Sequence, residues 1–396
     1  MTPFANPVVG TLGRRLRLGV VGGGARSLIG MVHRAAARLD DRFEVVASVM
    51  ASTPDSAREQ GVQAGIARDR AYGTLDEMLE SESVRDDGID AVAIMTPNHQ
   101  HYPQCRAVLE KGLHIICDKP LTTSLSDALD LVRRVREAGV VFCFTHNYSG
   151  FPMVRQARAM VAAGELGEIR QFNVEYSQGQ LATYVEPDAP ERLKWRLDRA
   201  RGGPSAVLGD IGTHAHQLLT FIAGMPVARL SADVGPTVPE RENDDYAGML
   251  LRLENGARGT LWATQSASGS ENVLRIKMFG SKGGVEWEQN FPNHLRHMVQ
   301  FQPARILSRG LPDLSDAAKR ASRIPTGHPE GFHEAFANLY SDASEAIAAH
   351  ISGTEADPLA LDFPTVEDGA RGMRFVEAAL ESSNDGGRWA DCTLEL

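Results

Sequence analysis

From residue 16 to about 146, short and almost wholly apolar runs alternate with segments whose apolar residues recur at helical spacing. "LRLGVV" (16–21) leads through a glycine-rich turn into "SLIGMVHRAAARLD". "FEVVASVM" (43–50) precedes "SAREQGVQAG", and "IDAVAIM" (89–95) precedes "YPQCRAVLEKG". "LHIIC" precedes a helix opening at Ser124, and "VVFCFT" (140–145) closes the series. Strands that are apolar on both faces and separated by helices form a parallel sheet covered on both sides. The spacings Thr74–Glu77 and Ser124–Asp127 suit capping boxes. This stretch reads as one doubly wound α/β domain.

After residue 147 the pattern changes. A helix over about 152–163 ends at "AGELGE", and strands of alternating character follow. Asn255-Gly256 between two such strands is a strong hairpin signal, and "VLRIKMFGSKGGVEWEQ" reads as another hairpin. The expectation is a large, mostly antiparallel sheet with helices, an α+β domain. Helices of its own would cover one face, leaving the other for a second subunit. "SRGLPDLSDAAKRASRIPTGHPEG" is long and irregular, so it reads as a functional flap or a subunit contact. A last helix, 366–382, ends before "SSNDGG" and is placed to pack back on the first domain. The division expected is 1–147 and 148–396.

Composition narrows the partners. A net charge of −10 and no basic stripe argue against nucleic acid or an anionic membrane surface. Cys105, Cys117, Cys143 and Cys392 show neither disulfide-framework nor zinc spacing, and suit a reducing cytoplasm. The first residues lack the order of a signal peptide, and no apolar run reaches the ~18 residues of a membrane span. A soluble cytoplasmic protein is expected.

Candidate chemistry collects at strand ends, where open α/β sheets bind ligands. Gly22, Gly24, Ala25, Arg26 and Ser27 form the first βα turn, with Gly30 further on. Glycines there let the backbone approach a pyrophosphate at a helix N-terminus, with Ser27 small enough for close helix–strand packing. The second strand ends Ser52-Thr53-Pro54-Asp55, without the acid that holds the NAD ribose. The Ser52–Thr53 hydroxyl pair with Arg58 nearby would instead accommodate a 2′-phosphate, so NAD against NADP stays open with a slight lean to NAD; Asp55 would cap the next helix. Thr96, Asn98, His99 and His101 close the third strand and point at the same crevice. Asp118 and Lys119 end the fourth, where Pro120 favours an extended Lys119 and its ammonium suits proton transfer to, or polarisation of, a hydroxyl.

The glycine turn, "TPNHQH", "GLHIICDKPL", "GELGEI" and "GDIGTHAHQL" together resemble the Gfo/Idh/MocA oxidoreductase family over about residues 16 to 350, in order. The resemblance implies an NAD(P)-binding Rossmann domain, then an α/β substrate-binding and oligomerisation domain whose open sheet joins subunits into a homodimer or homotetramer. It assigns the catalytic lysine to Lys119, with Asp118 where the family has Glu. It also implicates Asp210 and His214 as an acid–imidazole pair. Four apart on a helix, they would share a face, and a carboxylate beside an imidazole makes a general base. Asn147, with His146, and Tyr148 would line the nicotinamide and substrate side. Trp195, Arg196 and His328 sit on irregular segments as candidate hydroxyl-binding groups. His214 and His216 diverge on a helix, so no metal is expected.

The expected activity is hydride transfer between a secondary hydroxyl of a sugar, glycoside or cyclitol and the nicotinamide, with His214 and Lys119 converging on one oxygen. An NAD-dependent glycosidase working by transient oxidation and elimination needs the same residues. A non-catalytic NAD(P) sensor ranks last, since lysine and histidine are both present.

Overall fold

A computed structural model describes residues 6–25 and 27–396. The chain divides into two units, each with its own sheet.

The first unit comprises residues 1–122, 126–147 and 332–369. Its five strands are β1 (Leu16–Gly22), β2 (Phe43–Val49), β3 (Ala91–Met95), β4 (His114–Cys117) and β5 (Phe142–Phe144). They run parallel in the order β2-β1-β3-β4-β5. This is the doubly wound arrangement read from the alternation, with the topological switch between β1 and β3. Ala91 to Ile94 and Ile115 to Cys117 are wholly buried, as strands covered on both faces must be.

The expected division at residue 147 gave everything downstream to the second domain. The structure instead returns 332–369 to the first unit, because the helix Phe332–Ser352 packs on the helix Leu28–Leu39. Phe336, Tyr340, Ala343 and Ile347 join Val32, Ala36, Leu18 and Val20 in one core. Large apolar side chains so buried contribute roughly 1.5–3 kcal/mol each. The helix expected at 366–382 is Val366–Asn384, and it begins in the first unit and continues in the second.

The second unit contains β6 (Ile169–Ser177), β7 (Val227–Gly235), β8 (Tyr246–Leu253), β9 (Arg258–Thr264), β10 (Val273–Gly280), β11 (Gly283–Glu288), β12 (His294–Val299), β13 (Arg305–Ser308) and β14 (Ala390–Asp391). The sheet order is β13-β12-β11-β10-β6-β9-β8-β7-β14. Every pair is antiparallel except β6 and β9. Asn255-Gly256 turns β8 into β9, with Gly256 at φ +83°. One sheet face buries Val174, Tyr176, Leu251, Leu261, Ile276 and Trp287 beneath the helices Pro152–Ala162 and Thr213–Ala223. The other face presents Leu250, Trp262 and Phe279 to solvent among charged residues.

The irregular stretch 308–331 is organised from inside. Arg309 and Glu330, each 2% exposed at the side chain, pair at 2.7 Å. Arg309 also donates to the carbonyls of Ile324 and Pro325, and Glu330 accepts from the N–H groups of Arg323 and Ile324. No helix among the described residues is long and apolar enough to cross a membrane.

Candidate active site

In the first unit the glycine turn is shaped by what a Cβ would strike. Gly22 and Gly23 adopt φ of +81° and +67°, a region L side chains rarely enter. A Cβ on Gly30 would overlap the Cα and carbonyl of Gly23, so the helix Leu28–Leu39 lies directly against the turn. That close packing was expected of Ser27. Ser27 is instead the helix N-cap, its Oγ accepting from the Gly30 N–H at 3.1 Å. A Cβ on Gly24 would overlap the Met50 carbonyl and Gln60 Oε1. Gln60 Oε1 accepts from the Ala25 N–H at 2.9 Å, a plug not visible in the sequence. Arg26 lies outside the described residues.

At the end of β2, Ser52 is exposed, and the N-cap of the helix Pro54–Gln63 is Thr53, with Asp55 inside the first turn. Arg58 is committed elsewhere than expected. Its Nη2 donates to both oxygens of Glu77, at 3.0 and 2.7 Å, while Glu77 Oε2 also accepts from the Gly73 N–H at 2.9 Å. The guanidinium meant for a 2′-phosphate already holds a carboxylate.

Beyond β3, Thr96 Oγ1 donates to Gln104 Oε1 at 2.7 Å, and half-buried Asn98 opens a short 3₁₀ turn. His101, expected at the cofactor, is wholly buried. Its ring nitrogens lie 2.7 Å from the Pro120 carbonyl and 2.8 Å from that of Thr96, tying two strand-end turns together. Burial lowers its pKa, opposed by Asp118 and these carbonyls.

Asp118 also turns inward rather than toward a cofactor. Its Oδ1 accepts from the Thr145 hydroxyl at 3.1 Å and stands 3.9 Å from His33 Nε2. Burial pushes the carboxyl up, yet His33, Lys119 and His101 outweigh it and hold it at about 2. The acid is thus an internal anchor, and the next residue, half-buried Lys119, leaves the core, its peptide to Pro120 being cis. Asn147 is 2% exposed, and its Nδ2 has no partner among the described residues.

In the second unit, Asp210 and His214 do not share one α-helix. Asp210 lies in a π-helical turn, Leu208–Gly212, and His214 in the first turn of the helix Thr213–Ala223 that follows. Such turns mark functional sites often enough to be informative. Asp210 Oδ2 accepts from Gln265 Nε2 at 2.9 Å and stands 4.0 Å from Arg196 Nη1. Arg196 also lies over the Trp195 ring at 5.3 Å.

His214 is buried and takes the edge of Tyr148, ring centroids 5.0 Å apart. Tyr148 and Tyr176 share a hydrogen bond of 2.6 Å between their hydroxyls. Burial pushes the Tyr148 phenol well above its ordinary value and Tyr176 to about 12. Gln178 Nε2 donates to Asn272 Oδ1 at 2.6 Å, and Gln178 Oε1 accepts from Gln265 Nε2 at 3.4 Å. Tyr176, Gln178, Gln265 and Asn272 escaped the sequence reading. His328 is exposed, and its backbone carbonyl accepts from Arg309.

The first unit fits a dinucleotide on its own geometry. The turn is stripped of Cβ atoms where a pyrophosphate needs backbone, its Ala25 N–H is held by a side-chain amide, and among the described residues the buried Asn147 Nδ2 has no partner. Among the described residues no cluster could hold a metal ion.

Comparison with known proteins agrees. Residues 16–146 match the family model of the Gfo/Idh/MocA oxidoreductases with an NAD-binding Rossmann fold, and residues 154–286 match the family's C-terminal domain. The chain is 35% identical over 386 residues to the uncharacterized oxidoreductase YfiI of Bacillus subtilis, covering 96% of this chain and 98% of that protein. It is 38% identical to an inositol dehydrogenase homologue from Azotobacter vinelandii crystallised with NAD+, with a TM-score of 0.90 over 96% of this chain and 97% of that one. The structure of that homologue with NADH and myo-inositol gives a TM-score of 0.87 at 36% identity, over 96% and 98% of the two chains.

Proposed function

This chain belongs to the Gfo/Idh/MocA family of NAD-binding oxidoreductases, and from that premise we propose that it moves a hydride between a secondary hydroxyl of a sugar, glycoside or cyclitol and NAD. The observation that carries the substrate class is the lining around His214. A carboxylate, two tyrosines and three side-chain amides gather there, a set suited to neutral hydroxyl groups. The Azotobacter homologue crystallised with NADH and myo-inositol is similar over 96% of this chain.

Gly22, Gly24, Ala25, Ser27, Thr96, Asn98 and Asn147 would hold the dinucleotide. Bound there, the nicotinamide supplies the hydride acceptor. His214 takes the proton of the substrate hydroxyl, and Asp210 favours the imidazolium that results. Lys119 donates a hydrogen bond to the same oxygen and stabilises the negative charge that develops on it. Tyr148 and Tyr176 keep their protons at neutral pH, since burial raises both, so they orient hydroxyls and leave the base role to His214. Trp195 and Arg196 take part in substrate binding; for His328 the structure offers no support beyond its exposure.

The sheet face bearing Leu250, Trp262 and Phe279 supports a homodimer or homotetramer joined there, which light scattering checks. The four buried, unpaired cysteines suit the cytoplasm.

The test is a panel of sugars and cyclitols with NAD and NADP, followed by NADH absorbance. Lys119→Ala and His214→Ala should each lower kcat by about 10²- to 10⁴-fold while NADH binding is retained. Near-native turnover in either variant rejects the assignment. Release of an aglycone without net NADH would replace the dehydrogenase by a glycosidase that reuses its cofactor.

A further inference from the structure

Beyond lining the region around His214, the side-chain amides of the second unit form a directional network. Gln265 follows directly on β9, and Gln178 follows directly on β6. These two strands are the sheet's parallel pair, with Ser177 in register with Thr264. Their carboxyl ends therefore lie side by side, and the two glutamines meet.

The orientation of each amide is fixed by its neighbours. Gln265 faces Asp210 Oδ2 on one side, at 2.9 Å, and Gln178 Oε1 on the other, at 3.4 Å. Both are acceptors, so only an NH₂ group satisfies the position; a flipped amide would set oxygen against oxygen twice. Gln178 Oε1 accepts in addition from Gln180 Nε2 at 2.9 Å, and Gln178 Nε2 donates to Asn272 Oδ1 at 2.6 Å. Every member of the chain is thereby directional. Gln265 is 3% exposed, and its own N–H donates to the Asp245 carbonyl at 2.9 Å, so its backbone is held as well. A neutral donor buried against one carboxylate oxygen favours the ionised acid. Arg196, at 4.0 Å from the same oxygen but exposed, adds charge without fixing direction.

We propose that Gln265 is a positioning residue of the dehydrogenase: locked by Gln178, its amide keeps Asp210 ionised and aimed, and so sets the basicity of His214. This rests on the assignment of Asp210 and His214 made above.

Gln265→Glu tests it at nearly constant volume. A second carboxylate would face Asp210, and like charges at hydrogen-bond distance raise the pKa of the pair. The acid limb of the kcat profile should move up by about one pH unit or more, with kcat at neutral pH down about tenfold and NADH affinity unchanged. Gln178→Met, which removes the lock and leaves Gln265 in place, should give a smaller loss of about threefold in kcat with the same unchanged NADH affinity. Asp210→Asn is the control. If Asp210→Asn abolishes turnover while Gln265→Glu keeps the native kcat and pH profile, Gln265 has no positioning role. If Asp210→Asn turns over normally, the catalytic assignment falls and this role with it. Loss of NADH binding in Gln265→Glu would mark a general structural defect and likewise overturn the proposal.

Discussion

The candidate sites of the two units hold their polar groups by different means. In the first, backbone carries most of the work: the N–H groups of a glycine turn, and carbonyls of Thr96 and Pro120 clasped by a buried imidazole. The acid that precedes Lys119, Asp118, is spent on the core. In the second, side chains meet side chains: Gln265 donates to both Asp210 and Gln178, and Gln178 donates on to Asn272. Added volume should therefore damage the first site, whereas an exchange of donor for acceptor at equal volume should damage the second. A loop built from backbone tolerates varied side chains but no intruding Cβ; an amide chain tolerates neither of its ends being reversed.

The largest effect belongs to the glycine turn. Gly30→Val places a branched side chain into the Gly23 backbone, which no rotamer avoids. Helix Leu28–Leu39 must shift away, at a cost of roughly 1–3 kcal/mol in stability. NADH affinity should fall about 100-fold or more, since that helix carries the anion-binding N-terminus. Calorimetric titration and urea unfolding measure both. Unchanged NADH affinity would remove the distinction between a backbone-built site and a side-chain-built one.

That distinction also explains what could be read from the chain. Strand ends in a doubly wound sheet follow from strand order, so Gly22, Gly24, Thr96 and Lys119 announce themselves by position after an apolar run. Asp118 does not announce its inward turn, because Thr145 and His33, which receive it, come from a different strand and helix. Gln178 and Gln265 are legible only once β6 and β9 are known to be parallel neighbours, and alternation fixes a face without fixing a partner. The π-turn at Leu208–Gly212 leaves no mark in hydrophobic spacing. Helix Phe332–Ser352 was missed for another reason. It is buried on most of its surface, so it lacks the polar stripe that gives amphipathic helices away.

Acid acts on both units in the same sense. Each buries a histidine that is kept neutral: His114 in the first, with a pKa pushed by burial to about 4, and His216 in the second, pushed by burial to about 3. Unfolded, both return to about 6.5 and take up a proton below that pH, while the folded forms resist. Stability therefore is full above pH 6.5 and declines as pH falls toward each folded value. Between pH 6.5 and 4, His216 alone should withdraw about 3 kcal/mol. His216→Phe keeps a ring on Phe375, against which the imidazole now stacks at 4.4 Å, and should flatten the acid decline of the second unit. Thermal unfolding at pH 7 and pH 4.5 reads the difference; equal slopes for variant and native chain would show that His216 is protonated alike in both states.

The smallest effect concerns cofactor choice and returns to the first unit, where one side chain does matter. Arg58 is turned onto Glu77, and both are substantially exposed, so the pair is worth little and salt screens it. Its consequence lies in direction rather than strength. With Glu77 in place, a 2′-phosphate would meet a carboxylate beside the guanidinium; with Glu77→Gln, the guanidinium is released and the repulsion is gone. The ratio of kcat/KM for NADP to that for NAD should rise about fivefold, the scale of one exposed ion pair. Arg58→Ala should leave NAD use within about twofold, because the ribose of NAD asks nothing of a cation. Should Glu77→Gln leave the NADP ratio where it was, the Arg58–Glu77 pair has no part in cofactor preference, which then rests on the exposed Ser52 and Thr53 beyond β2.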